Sequence, residues 1–259
     1  LSIGVFANLT WHLTDRLNIT PGVRWADDQK EVTQTRYLAN DFAPFGGATS
    51  QTVVAEDDWN NTDWRLTLDY RLTENHMLYL TSSEAYRAGA YNYTIVNTSS
   101  GDAQSQAIAG GFVAAFTPPE KVQNDEIGAR TEWLDGRLRV NLTYFDMAYT
   151  DRQGPIQVVD PTSPTGFRIQ LVNTGDVDLS GYELEGQVAA TDNLMIDFSA
   201  GLVDSTLKDP CANNGDFLFP GPVEDSYSLG GRWLMALDRG GDLTFGLSYA
   251  YTGPQQTHP

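Results

Sequence analysis

The chain has 259 residues, 34 Asp and Glu against 16 Lys and Arg, a net charge of −18 and a sequence pI near 4.3. That balance excludes a nucleic-acid backbone as partner, because such binding rests on cations neutralising phosphates. Mean hydropathy is −0.35 and no window approaches the roughly eighteen apolar residues of a membrane helix, which excludes helical spans but not a barrel, whose strands need grease on one face only.

From the start of the chain, Ile3, Val5, Ala7, Leu9, Trp11 and Leu13 alternate with Ser2, Gly4, Phe6, Asn8, Thr10 and His12. After Thr14-Asp15-Arg16, Leu17, Ile19, Pro21, Val23 and Trp25 resume the pattern against Asn18, Thr20, Gly22 and Arg24. Two period-two runs around a tight polar break predict a β-hairpin. The unit recurs. Trp64 to Leu72 and the run from His76 flank Thr73-Glu74-Asn75; Ile127 to Trp133 and Leu138 to Leu142 flank residues 134–137. Tyr182 to Val188 and Leu194 to Leu202 flank Thr191-Asp192-Asn193; Tyr227 to Trp233 and Leu243 to Tyr251 flank residues 238–241. The alternation weakens after His76 and blurs beyond Tyr144.

The sum is about ten strands in about five hairpins, taken as one unit over residues 1–259. Turns within hairpins are short, whereas the connections between them, roughly 40–57, 95–121, 160–166 and 207–222, are long. In an antiparallel up-and-down meander all short turns share one rim and all long loops the other, which is the asymmetry of an all-β transmembrane β-barrel. The runs Leu138 to Val159 and Phe167 to Ala190 outlast a bilayer crossing and are expected to project above it. Trp11, Tyr70 and Trp133 sit near short turns and Trp25, Trp64, Tyr227 and Tyr251 about a span away, as two interfacial belts require.

Several stretches carry a resemblance: "FANLTWHLTDRLNITPGVRWADDQKE", "LYLTSSEAYRAGAYN", "FTPPEKVQNDEIGARTEWLDGRLRVNLTYFDMAYTDRQ" and "LVNTGDVDLSGYELEGQVAATDNLMIDFSAGLVDS". Together they resemble, in order, recurring strand and hairpin motifs of the TonB-dependent receptors of Gram-negative outer membranes. The resemblance implies an outer-membrane location and a barrel of about 22 strands closed inside by a plug domain. It also implies active transport of a scarce nutrient (siderophore-iron, cobalamin or saccharide), energised through TonB. The expected partners are outer-membrane lipid and lipopolysaccharide, the TonB complex of the inner membrane and a small-molecule ligand. The chain is read as an interior-to-late portion of such a barrel, without the plug domain or TonB-contacting box. Two alternatives remain open: a passive porin-like or structural barrel closed from these strands alone, and a soluble carbohydrate-binding β-sandwich.

No catalytic motif is found: neither a G-x-S-x-G elbow nor an H-E-x-x-H helix occurs, and His12, His76 and His258 lie far apart in sequence, so no enzyme is expected. No metal site or cofactor is expected either. Asp176-Val177-Asp178 lacks the spacing of a calcium loop. Glu183, Glu185 and Gln187 read as a wet lumen wall rather than a cation path. Arg87, Tyr91 and Tyr93 lie where a strand rises into a loop, and an arginine with aromatics suits sugars or anionic iron chelates, although belt or loop packing explains them nearly as well. The loop 95–121, with Phe112 and Phe116, is the stretch best suited to cap a substrate. Cys211, the lone cysteine, lies in the last long loop and is read as incidental; the N-x-[ST] matches are discounted, several falling on strands.

Overall fold

The computed structural model describes residues 1–37, 50–97, 112–159, 166–208, 216–217, 220–238 and 240–257. Eighteen strands and no helix run through them: β1 (Ser2–Asn8), β2 (Trp11–His12), β3 (Leu17–Tyr37), β4 (Ser50–Arg71), β5 (His76–Arg87), β6 (Ala90–Asn97), β7 (Phe112–Thr117), β8 (Glu120–Trp133) and β9 (Leu138–Thr150) come first. They are followed by β10 (Gln153–Val159), β11 (Phe167–Asn173), β12 (Val177–Ala189), β13 (Leu194–Leu207), β14 (Asp216–Phe217), β15 (Pro220–Val223), β16 (Asp225–Ala236), β17 (Asp242–Thr252) and β18 (Gln255–Thr257). An 11-stranded antiparallel sheet takes the order β1-β3-β4-β5-β8-β9-β12-β13-β16-β17, with β2 paired to β3. This is an up-and-down meander, open at β1 and β17.

The expected turns close its hairpins, and three are built alike. The hydroxyls of Thr14, Thr73 and Thr191 each accept from the backbone N–H two residues on, at 3.2 Å. A threonine satisfying that N–H is why "TDR", "TEN" and "TDN" turn so tightly. The turn at Leu134-Asp135-Gly136 runs through left-handed backbone, φ 57°, 54° and 81°, and glycine takes the last of these without strain.

Register carries the apolar rows across the whole sheet. Leu142 stands opposite Ala129 and Leu184, Leu184 opposite Ala200, and Ala200 opposite Tyr227. These side chains meet neither a second sheet nor a helix. Leu142, Leu202, Leu229 and Phe245 are 47–55% exposed and Leu247 is 82% exposed. Large apolar side chains in that number stay uncovered only where hydrocarbon is the solvent. From Leu243 to Tyr251, β17 offers about 27 Å of strand, which a tilt of about 40° reduces to about 20 Å, a fit to the thin bacterial outer membrane.

Two expectations are revised. The long runs Leu138 to Val159 and Phe167 to Ala190 are not single strands. They break at Asp151-Arg152 and at 174–176, where Asp151 and Gly175 take positive φ of 53° and 107°, and continue as β10 and β11 in a separate sheet with β14. The loops expected over 40–57, 95–121 and 207–222 are shorter, because Ser50 to Asp57 already pair with β3, β6 and β7 take Ala90–Asn97 and Phe112–Thr117, and β14 and β15 take Asp216–Phe217 and Pro220–Val223. Cys211 lies outside the described residues.

The weakening alternation has a physical cause. Above the lipid band the apolar side chains change faces: on β9, Leu138, Val140, Leu142 and Tyr144 share the outer face, whereas Phe145 lies over Gly181 on the inner one. Outside, Asp125 and Asp146 take the next positions up, opposite one another. Once water replaces lipid outside, acids can stand there and the grease turns inward.

Candidate functional site

The face opposite the apolar rows is the lumen wall. On it Arg71, Met77, Arg130, Asn141, Glu185, Ser199 and Ser228 form one transverse row through successive register pairs, and Asp69, Tyr79, Gly128, Thr143 and Glu183 form the next. Tyr79 lies flat over Gly128, where an added Cβ would come within 2.4 Å of its ring; that close approach is what requires glycine there. The flat ring lets the Tyr79 hydroxyl hydrogen-bond the Thr143 hydroxyl at 2.7 Å and puts the Arg130 guanidinium 5.3 Å from the ring centroid. With Asn141, Glu183 and Glu185 these residues line a notch of about 120 Å³. A cation and two carboxylates face one small space across an amide, so the notch is built for an occupant with both donors and acceptors. The sequence reading of Glu183, Glu185 and Gln187 as inward-facing agrees with this register.

Above the wall two hairpins bend off the sheet. The β5–β8 ladder ends at Arg87 opposite Glu120 and resumes, after Ala88-Gly89 on one side and Pro118-Pro119 on the other, as the β6–β7 pair from Ala90 opposite Thr117. The bend carries β6–β7 across the inner faces of β3 and β4. Lys30 Nζ donates to the Gly89 carbonyl at 2.6 Å and stands 5.6 Å from the Trp59 ring centroid, while the Gln34 amide donates to the Asn92 carbonyl.

The site residues expected from sequence have different fates. Arg87 keeps an exposed side chain, 60% accessible, with its guanidinium 3.8 Å from the Glu120 carboxylate. Phe116 stacks on Trp59, ring centroids 5.8 Å apart and planes 6° from parallel. Tyr91 tilts against Phe116 at 5.8 Å and packs on Val53 and Ala55, two of the most buried side chains described. Its hydroxyl is buried without a hydrogen-bond partner among the described residues, and that burial, with Asp57 and Glu56 nearby, raises its pKa. Tyr91 and Phe116 therefore seat the hairpin on the wall, together with Trp59 and Lys30. Tyr93 and Phe112 belong to β6 and β7, with Phe112 opposite Asn97, but their side chains lie outside the described residues.

Sequence reasoning missed Trp59 and Lys30. Trp59 sits in "AEDDWNN", whose acids and amides read as loop. The available signal was parity: counted back from Arg65, Asp63 and Asn61, Trp59 falls on the inner row. Among the described residues no cluster of His, Cys, Asp and Glu is arranged to hold a metal.

With the geometry in view, the likeness to known proteins has a context. The family model for the TonB dependent receptor-like β-barrel matches residues 2–258. Pesticin receptors of Yersinia enterocolitica and Yersinia pestis are 30% identical to this chain over 190 and 193 residues, 72% of this chain but only 23% of theirs. Among solved structures, the ferric yersiniabactin uptake receptor FyuA of Yersinia pestis superposes with a TM-score of 0.72 at 20% identity, over 99% of this chain and 34% of that one. The ferric-catecholate import receptor Fiu of E. coli, in its closed form, gives 0.70 at 18% identity over 97% and 34%. The chain spans about a quarter of the length of the curated relatives and about a third of these structures.

Proposed function

Because this chain belongs to the TonB-dependent receptor β-barrel family of Gram-negative outer membranes, we propose that it forms part of the wall and outer mouth of a receptor importing a siderophore-type iron chelate, with energy delivered through TonB. The observation that carries this reading is the two-faced sheet: an uncovered apolar band outside, and inside it a wall of unlike charges beneath two inward-bent hairpins. Hairpins bent over the lumen suit a receptor that must hold a scarce solute. The relatives point to the chelate class, since the solved ones are named for ferric yersiniabactin and ferric catecholate.

Each part of the mouth then has a task. The Arg87 guanidinium, exposed on the inner face at the foot of the bend, meets the anionic chelate; a charge-assisted contact suits carboxylate, hydroxamate or catecholate oxygens. Tyr91 and Phe116 hold the hairpin in place. The polar notch lower down faces whatever occupies the lumen. The family consists of transport receptors, and the chain's partners are read accordingly as outer-membrane lipid with lipopolysaccharide around the band, the TonB complex and a small-molecule ligand.

The test is uptake. Disruption of the gene in a strain starved of iron should abolish growth on one or a few chelates from a panel of catecholate, hydroxamate and phenolate-type siderophores, and the intact gene should restore it. Unchanged growth on every chelate, with altered growth on a glycan or on cobalamin, would move the substrate to those classes.

A further inference from the structure

The deepest burial of polar groups in the described chain lies at the seam between two hairpins, above the lipid band. Of the eight buried polar or charged residues, six (Asn92, Thr117, Gln153, Gln170, Asn173 and Thr174) sit where β6–β7 meets β10–β11. Both hairpins leave the sheet by an elbow. The first bends at Ala88-Gly89 and Pro118-Pro119; in the second, the β9–β12 ladder ends at Tyr149 opposite Val177 and resumes as Gln153 opposite Asn173.

The seam is closed by side chains acting as backbone. The Asn92 amide donates through Nδ2 to the Leu171 carbonyl at 2.8 Å and accepts from the Leu171 N–H at 2.6 Å, reproducing the paired bonds that a strand neighbour would make. The Thr117 hydroxyl donates to the same carbonyl at 2.7 Å. At the elbows, Gln153 Nε2 donates to the carbonyls of Ala88 at 3.1 Å and Pro118 at 2.7 Å, and Asn173 Nδ2 donates to Pro118 at 3.2 Å. Buried bonds of this kind are costly to break singly, since each one lost strands a donor or an acceptor away from water.

We propose that hairpins β6–β7 and β10–β11 are one cooperative unit, a single roof keyed by Asn92 to the main chain of Leu171, so that local unfolding of one hairpin releases the other. Neither hairpin can lift alone without exposing the polar seam. A solute passing beneath must displace both or use another part of the mouth. The coupling rests on the hydrogen-bonded seam; only its meaning as a roof over a transport path rests on the receptor reading above.

Hydrogen–deuterium exchange on the detergent-solubilised full-length receptor tests it. Peptides covering residues 90–97 and 167–174 are expected to exchange in step. Asn92→Ala should accelerate both by roughly tenfold and leave the β8–β9 ladder unchanged. Thr117→Val, which removes the hydroxyl's 2.7 Å bond to the Leu171 carbonyl and the 3.3 Å bond it accepts from Asn92 Nδ2 but keeps the shape, should accelerate both by a smaller, matched factor. Acceleration confined to residues 90–97 in either variant would overturn the proposal. Should Asn92→Ala disturb the β8–β9 ladder as well, Thr117→Val decides. A failure here with chelate uptake intact would dissolve the roof while sparing the receptor.

Discussion

Tyr144 and Phe145 are neighbours in the chain and opposites in the fold: Tyr144 stands 5.0 Å from Tyr182 on the outer face, and Phe145 covers Gly181 on the inner one. Strands alternate by geometry, so the pair itself is ordinary. What it marks is a change of solvent. Below it the outer row is Leu142, Val140 and Leu138; above it comes Asp146. The upper edge of the hydrocarbon therefore runs at Tyr144 and Tyr182.

Charge placed on the two sides of that edge should have unequal cost. Leu142→Arg puts a guanidinium into the lipid band and is expected to destabilise the barrel by about 2–4 kcal/mol, with Asp146→Arg costing less than about 1. Urea unfolding in lipid vesicles, followed by tryptophan fluorescence, measures both. Equal losses would place the edge elsewhere.

Gly128→Ala should force the Tyr79 ring off the wall, because the new Cβ would lie 2.4 Å from it, and with the ring goes its 2.7 Å bond to Thr143. Overpacking of this kind costs about 1–3 kcal/mol. Tyr79→Phe, which removes only the hydroxyl, should cost about 1 kcal/mol. Chemical denaturation of the two variants gives the comparison; a Gly128→Ala protein as stable as the parent would show that the ring has room.

How much of this was legible in the residues follows from what made a pattern. The five hairpins were, because lipid demands grease at every second position and the threonine turns punctuate it. The elbows were not: the residues from Leu138 to Val159 stay β-like throughout, so two strands of different sheets read as one, and Asp151 offers no glycine to announce its positive φ. Tyr91 was found as an aromatic at a strand's rise and Phe116 as part of a capping loop, yet their packing on Val53 and Trp59 depends on a bend the sequence does not display. Asn92, Thr117 and Gln153 are polar residues among polar residues, and only tertiary burial distinguishes them.

Arg87→Ala separates contact from support. Its ion pair with Glu120 is long, 3.8 Å, and its guanidinium is exposed, so stability should change by less than about 1 kcal/mol. Uptake of the chelate should fall, by about tenfold if one charge-assisted contact is lost. Trp59→Ala, which removes the platform under Phe116, should lower thermal stability as well as uptake. Uptake by Arg87→Ala equal to the parent would remove Arg87 from the ligand's path.

Alkali should reach the phenol of Tyr86 late. At the top of β5 the buried Tyr86 hydroxyl is pushed up to about 12 by burial and by the carboxylates Asp28, Asp63 and Asp27. A phenol whose folded pKa lies above its ordinary 10 favours the folded state in full below pH 10, and that contribution is lost as pH rises through about 12. Tyrosinate absorbance should therefore show a late-titrating group that Tyr86→Phe removes. Loss in Tyr86→Phe of a group that titrates near the ordinary 10, with the late phase unchanged, would mean that this hydroxyl meets water.

The central claim is that, within the membrane band, one face of the 11-stranded sheet looks into lipid and the other into an aqueous lumen. Spin labels at each position from Leu138 to Met147, in a background with Cys211 replaced by serine, test it directly in reconstituted vesicles. Collisions with lipid-soluble oxygen should peak at Leu138, Val140, Leu142 and Tyr144 and vanish by Asp146; collisions with a water-soluble nickel chelate should never dominate at those four positions. Oxygen accessibility without period two, or nickel accessibility highest at Leu142, would contradict the membrane reading and the receptor function that depends on it.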